Sequence, residues 1–118
     1  MDQTTSERGA SAEAIAARAL SDAGYDLVEQ NWTCDAGELD IVARQGDVLV
    51  FVEVRSRRDG AHGHAAEMVT PAKQRRVTRL AGIYLLARAP AYERCRFDVV
   101  AITGDEVEII RDAWRVRG

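Results

Sequence analysis

A chain of 118 residues, 47% hydrophobic and 30% charged, is long enough for one domain around one core, and its composition excludes disorder over most of its length. The net charge of -3 argues against indiscriminate coating of nucleic acid, no apolar run approaches the ~18 residues of a membrane span, and the polar start MDQTTSERGA lacks a secretory apolar segment. A cytoplasmic protein with no membrane partner is expected. Within that average the charges segregate. Residues 1–54 carry 11 acids against 3 bases, whereas residues 55–79 carry 7 bases against Asp59 and Glu67, so the second region is a basic patch. Cys34 and Cys95 lack CxxC spacing and are expected as reduced, partly buried thiols.

Residues 1–10 read as a flexible segment and 11–118 as a single domain. Apolar residues at 12, 15, 16, 19, 20 and 23 predict an amphipathic helix that stops at Gly24. Residues 25–34 read as a partly exposed strand. After the turn Asp35–Ala36–Gly37, residues 38–44 and 48–56 predict a hairpin around Gln45, Gly46 and Asp47. The stretch from Arg57 to Val69 has no period and reads as a long loop. Thr70 as N-cap and Pro71 at the first helical position open a second helix, which runs to about Arg88 with Val77, Leu80, Ala81, Tyr84 and Leu85 inward. RCRFDVVAI and EVEIIRDAW supply two more strands. The order αβββαββ implies an α/β sandwich with a mixed sheet and helices packed against it.

The hairpin carries the chemistry. Strand alternation puts Glu38, Asp40, Val42 and Arg44 on one face, with Leu39, Ile41 and Ala43 on the other. In its partner, Leu49, Phe51, Glu53 and Arg55 share a face, opposite Val48, Val50, Val52 and Val54. If Arg44 pairs with Asp47 or Leu49, Asp40 and Glu53 become diagonal or directly opposite neighbours, close enough for two carboxylates to grip one cation. A one-residue slip would separate them. An all-oxygen site of this kind suits Mg²⁺ or Mn²⁺. The alternative is a salt-bridge ladder in which Arg55 pairs with Glu38 or Glu53 at a solvated sheet end. Spacing leaves both open.

An acid, roughly a dozen residues and then Glu-x-basic on an apolar strand resembles the PD-(D/E)XK nuclease motif. GELDIVARQGDVLVFVEVRSR, the downstream AEMVTPAKQRRV, the ALSDAGYDLVEQNW segment and RFDVVAI together resemble the YraN family of small bacterial predicted endonucleases, over about residues 12 to 103. The resemblance implies a restriction-endonuclease-like fold with a five-stranded sheet, Asp40 and Glu53 as metal ligands, and Glu13 as the accessory acid. It also exposes a departure. The last motif position is normally lysine, and here it is Arg55, which stays protonated and cannot act as a base, although it can steer a phosphate. Lys73, on the inward stripe of the second helix, is the candidate substitute; a lysine stem packed on apolar surface is the alternative.

The expected activity is metal-dependent hydrolysis of DNA phosphodiester bonds. Arg57, Arg58, Arg75, Arg76 and Arg79 would track the backbone, the last three pointing to solvent or phosphate, with a preference for branched, flapped or single-stranded DNA over any base sequence. A catalytically impaired nucleic-acid-binding module of the same fold is the alternative. His62 and His64 read as solvated loop residues, Asp98 as a solvated strand-end acid with bracing of the basic side chains as the alternative, and Trp32 and Trp114 as packing residues with base-stacking platforms as the alternative. Residues 25–33 or EVEIIRDAW could supply an edge for a homodimer.

Overall fold

The computed structural model describes the backbone of residues 5–58 and 69–116. Seven elements follow in chain order: helix α1 (Thr5–Asp22), strands β1 (Asp26–Cys34), β2 (Gly37–Gln45) and β3 (Val48–Arg57), helix α2 (Pro71–Arg88), and strands β4 (Arg94–Thr103) and β5 (Glu106–Trp114). The restriction-endonuclease-like αβββαββ order is therefore present in full. The first helix begins at Thr5, before the apolar stripe that announces it, so residues 5–10, expected as flexible, are helical in backbone. Most of the expected long loop, with His62 and His64, lies outside the described residues. Among those described, no helix is long and apolar enough to cross a membrane.

The five strands form one sheet in sequential order β1-β2-β3-β4-β5, antiparallel except where β3 and β4 run parallel. Parallel neighbours cannot be joined by a tight turn, and α2 lies in the connection between them. The hairpin between β2 and β3 is tight, with Gln45 paired to Val48 and Gly46 at φ 58, a left-handed value that glycine adopts without steric cost.

Each helix covers one face of the sheet. Ala16 and Leu20 of α1 bury against Ile41, Ala43, Val50, Val52, Val100 and Ile102. Val77, Leu80, Ala81 and Tyr84 of α2 bury against Val42, Leu49, Phe51 and Phe97. Neighbouring residues such as Val50 and Phe51 thus serve opposite cores, as a strand covered on both sides requires. The start of α2 is fixed as expected: Thr70 Oγ1 accepts from the Lys73 amide at 3.3 Å, with Pro71 in the first turn. Its far end is tied to β1 through Glu29, which accepts from Arg88 Nε and from the Tyr84 hydroxyl at 3.1 and 3.2 Å.

An aromatic chain runs through the α2-side core. Trp32 meets Tyr84 edge-on at 5.3 Å, Tyr84 meets Phe51 at 5.8 Å, Phe51 stacks on Phe97 at 5.7 Å, and Phe97 stacks on Trp114 at 4.9 Å. These geometries add specific attraction to area burial, and both tryptophans pack as expected.

Two expectations need correction. Leu39 does not share a face with Ile41 and Ala43: it belongs to the α2-side core with Val42 and with its cross-strand partner Trp32. The alternation breaks where the pairs Gln30–Ile41 and Trp32–Leu39 bracket Asn31 opposite Asp40, and Asn31 has a left-handed φ of 54. Asn31 lies on the neighbouring strand β1, and asparagine is among the few side chains that tolerate such a backbone. Asp98, expected at a solvated strand end, is fully buried. Its carboxylate accepts from the Tyr25 hydroxyl at 2.6 Å, from Arg96 Nε at 2.8 Å and from the Asp112 amide at 3.0 Å. The register of β4 against β5 shifts between Phe97 and Val99, and Asp112 has φ 55, so the buried acid satisfies an amide that this irregularity leaves off the ladder.

Candidate functional site

The site forms where the β2–β3 ladder ends. Pairing of Arg44 with Leu49, the second of the two registers weighed above, runs to Ile41 and Val52; continued by one step it sets Asp40 opposite Glu53. Beyond Val52 the Asp40 side chain replaces a ladder contact, its Oδ2 accepting from the Val54 amide at 2.9 Å. Carboxylate oxygens of Glu38, Asp40 and Glu13 from α1 lie within 4.8 Å of one another, while Asp40 also hydrogen-bonds Glu53. Asp40 is thus the residue common to both groups of acids.

Glu53 is 5% exposed. Burial, followed by the negative charge of Asp40, pushes its carboxyl from the ordinary 4.5 up to about 7, against the opposing pull of Arg55 and, more weakly, Arg76. Its Oε1 accepts from the Arg55 guanidinium. The salt-bridge alternative is therefore realised in geometry, but not at a solvated end. Glu53 therefore holds a proton near neutrality, and a cation between it and Asp40 would displace that proton. Glu13 is also raised, first by burial, with a hydrogen bond from the Asn31 side chain opposing and the charges of Asp40 and Glu38 adding to the rise.

Among the basic residues, Arg55 and Arg57 each keep a buried Nε without a hydrogen-bond partner. Arg58 is exposed just beyond β3. Lys73 is half-buried in the first turn of α2, on the inward side as expected, while Arg75, Arg76 and Arg79 are exposed. Arg76 differs from the other two, because it is near enough for its charge to act on Glu53. Like them it faces solvent, as expected, and its position four residues before the buried Leu80 places it beside the inward stripe. Asn31 was not expected at the site, and Glu38, expected on the same strand face as Asp40, joins it there.

The all-oxygen set of Glu13, Glu38 and Asp40, with Glu53 adjoining through Asp40, is of the donor type that suits a hard divalent cation such as Mg²⁺ or Mn²⁺. Residues 12–102 match the model of the "Uncharacterised protein family UPF0102". The chain belongs to this family. A UPF0102 protein from Moorella thermoacetica is 43% identical over 118 residues, covering 100% of this chain and 98% of the relative. UPF0102 proteins from Stutzerimonas stutzeri and Syntrophus aciditrophicus are 52% and 43% identical, the first covering 80% of each chain and the second 88% of this chain and 85% of its own. UPF0102 is the family to which the YraN resemblance pointed, and the matched span contains Glu13, the hairpin acids and the whole of α2.

Proposed function

We propose that this UPF0102 protein is a divalent-metal-dependent nuclease that hydrolyses DNA phosphodiester bonds. The observation that carries the reading is the convergence of Glu13, Glu38 and Asp40 within 4.8 Å, beside the buried Glu53, at a sheet end. Four carboxylates gathered around a partly desolvated point repel one another, and a dication relieves that repulsion. Asp40 and Glu53 would hold Mg²⁺ or Mn²⁺, with Glu13 and Glu38 completing the donor set. When bound, such an ion supplies Lewis-acid stabilisation of phosphate and a more acidic water.

The chain's own residues supply the rest. Arg55, locked to Glu53, offers its remaining guanidinium donors to a phosphate oxygen but cannot take a proton. Arg76 adds a second positive charge on the α2 side. Lys73 is the one amine near the start of that helix and the candidate for orienting the attacking water. Arg57, Arg58, Arg75 and Arg79 contact the DNA backbone without reading base sequence.

Calorimetric titration with Mn²⁺, together with cleavage of single-stranded, duplex, flap and four-way-junction DNA, tests the reading. Wild type takes up the ion and cleaves at least one substrate, and Asp40→Asn does neither. Absence of a Mn²⁺ heat in the wild type would overturn it. The arginine in the motif lysine position favours a second reading, a DNA-binding module without chemistry. That reading requires salt-sensitive binding and no cleavage with either ion.

A further inference from the structure

Two cavities away from Glu13, Glu38, Asp40 and Glu53 share Trp114 in their walls. The first, about 470 Å³, is bordered by Arg94, Cys95, Arg96 and Phe97 at the start of β4 and by Arg115. The second, about 670 Å³, is bordered by Pro71, Gln74, Arg75 and Thr78 of α2, again with Arg115. Trp114 and Val116 border both, and both volumes fall in the range of small-ligand sites.

Basic residues outnumber acids around them, Asp112 also bordering the first. Arg96 is neutralised by Asp98 and Arg115 by Asp112, and no ion pair of Arg75 or Arg94 occurs among the described residues. Trp114 is held firmly: its indole N–H donates to Thr78 Oγ1 at 3.0 Å and its ring stacks on Phe97. It is therefore the outer end of the aromatic chain that begins at Trp32, a rigid apolar wall shared by two basic hollows. With the indole donor already used, a ligand meets a ring surface rather than a hydrogen-bonding group, which recognises any base by stacking and none by sequence.

The position matters as much as the chemistry. Arg75 borders the second cavity, and the next residue, Arg76, acts on Glu53. The first cavity lies by Val48, five residues upstream of Glu53 on the same strand, or roughly 17 Å along it. That span corresponds to a few nucleotides of an extended strand. We infer that the hollows that share Trp114 bind unpaired nucleotides of a DNA strand, with a base against Trp114 and phosphates on Arg75 and Arg94, and that this groove leads the strand to the carboxylates. The inference rests on the nuclease reading for its direction, but binding is measurable without cleavage. Duplex DNA, whose bases are already stacked, cannot use the groove in this way.

The test uses full-length protein in EDTA, so that binding is separated from hydrolysis, with a short oligothymidylate and a duplex of equal length. The single strand is expected to quench Trp114 emission and to slow alkylation of the exposed Cys95, while the duplex does neither. Arg75→Gln with Arg94→Gln, both at exposed positions, should weaken single-strand binding about tenfold. Trp114→Phe should abolish the quench, and Cys95 protection in the wild type provides the measurement if that variant folds poorly. Unchanged affinity in the double arginine variant, equal Cys95 protection by the duplex, or no single-strand binding by wild type would each overturn the inference. Single-strand binding without cleavage after ion is restored would instead count against the nuclease reading alone.

Discussion

The carboxylate of Asp40 accepts the amide of Val54 at 2.9 Å, across the point at which β2 and β3 stop pairing. A ligand candidate is thereby also part of the backbone hydrogen bonding. Its two roles separate by substitution. Asp40→Asn keeps an acceptor for Val54 and should fold with little loss, yet show no Mn²⁺ heat. Asp40→Ala leaves that amide without its partner and should cost about 1–3 kcal/mol in urea unfolding as well. Equal stability of the two variants would refute the backbone role.

Protonation of Glu53 gives the fold a distinctive pH dependence. Its carboxyl titrates near 7 when folded and near 4.5 when unfolded, so between those values the folded state holds the extra proton. Stability should then fall as pH rises from 4.5 through 7, by up to about 3 kcal/mol, and level off above it. Glu53→Gln should remove this slope. Because a cation competes with that proton, Mg²⁺ should raise the melting temperature more at pH 8 than at pH 5.5. An unchanged slope in Glu53→Gln would assign the titration to another group.

Asn31 combines a left-handed backbone with a hydrogen bond to Glu13, and two substitutions distinguish these contributions. Asn31→Gly keeps the backbone accessible and loses the amide; it should melt close to wild type while binding Mn²⁺ about tenfold more weakly. Asn31→Ala adds backbone strain of about 1 kcal/mol. Wild-type Mn²⁺ affinity in the glycine variant would reduce Asn31 to a turn former.

Two positions compete for the part of the missing motif lysine. If the proton-accepting amine is what the site lacks, Arg55→Lys should raise the cleavage rate about tenfold or more. Lys73→Ala should lower the rate severely with an intact fold, as expected of the residue that orients the attacking water. A mild loss would return Lys73 to a packing role.

Away from the site, Asp98 is the buried acid on which Tyr25, Arg96 and the Asp112 amide converge. Asp98→Asn leaves Arg96 facing a neutral partner in a buried setting, and a loss of about 3–5 kcal/mol is expected in denaturant unfolding. A loss below 1 kcal/mol would mean that water replaces the carboxylate.

Periodicity made the elements legible, because each strand and helix is covered on a definite side and so repeats its apolar residues at a definite spacing. Val50 and Phe51 could be assigned to opposite cores from sequence alone, and the aliphatic face of β3 fixed the parity of the hairpin, while the choice between the two registers of that parity came only with the structure. Leu39 could not be placed, since alternation is a regular rule and its break in β2 carries no apolar signature. Asp98 shares a strand face with Arg96, two positions away, but Tyr25, 73 positions away, and the Asp112 amide meet it only through tertiary folding.

The carboxylates around Asp40 come from three separate stretches of chain, and one of them belongs to a helix held to the sheet chiefly by Ala16 and Leu20. An ion shared by Glu13 and the strand acids would act as a rivet through the thinnest seam of the sandwich. Amide exchange along the first helix would then slow on loading, so that occupancy of the pocket of acids is recorded in the breathing of an element that never touches the opposite core.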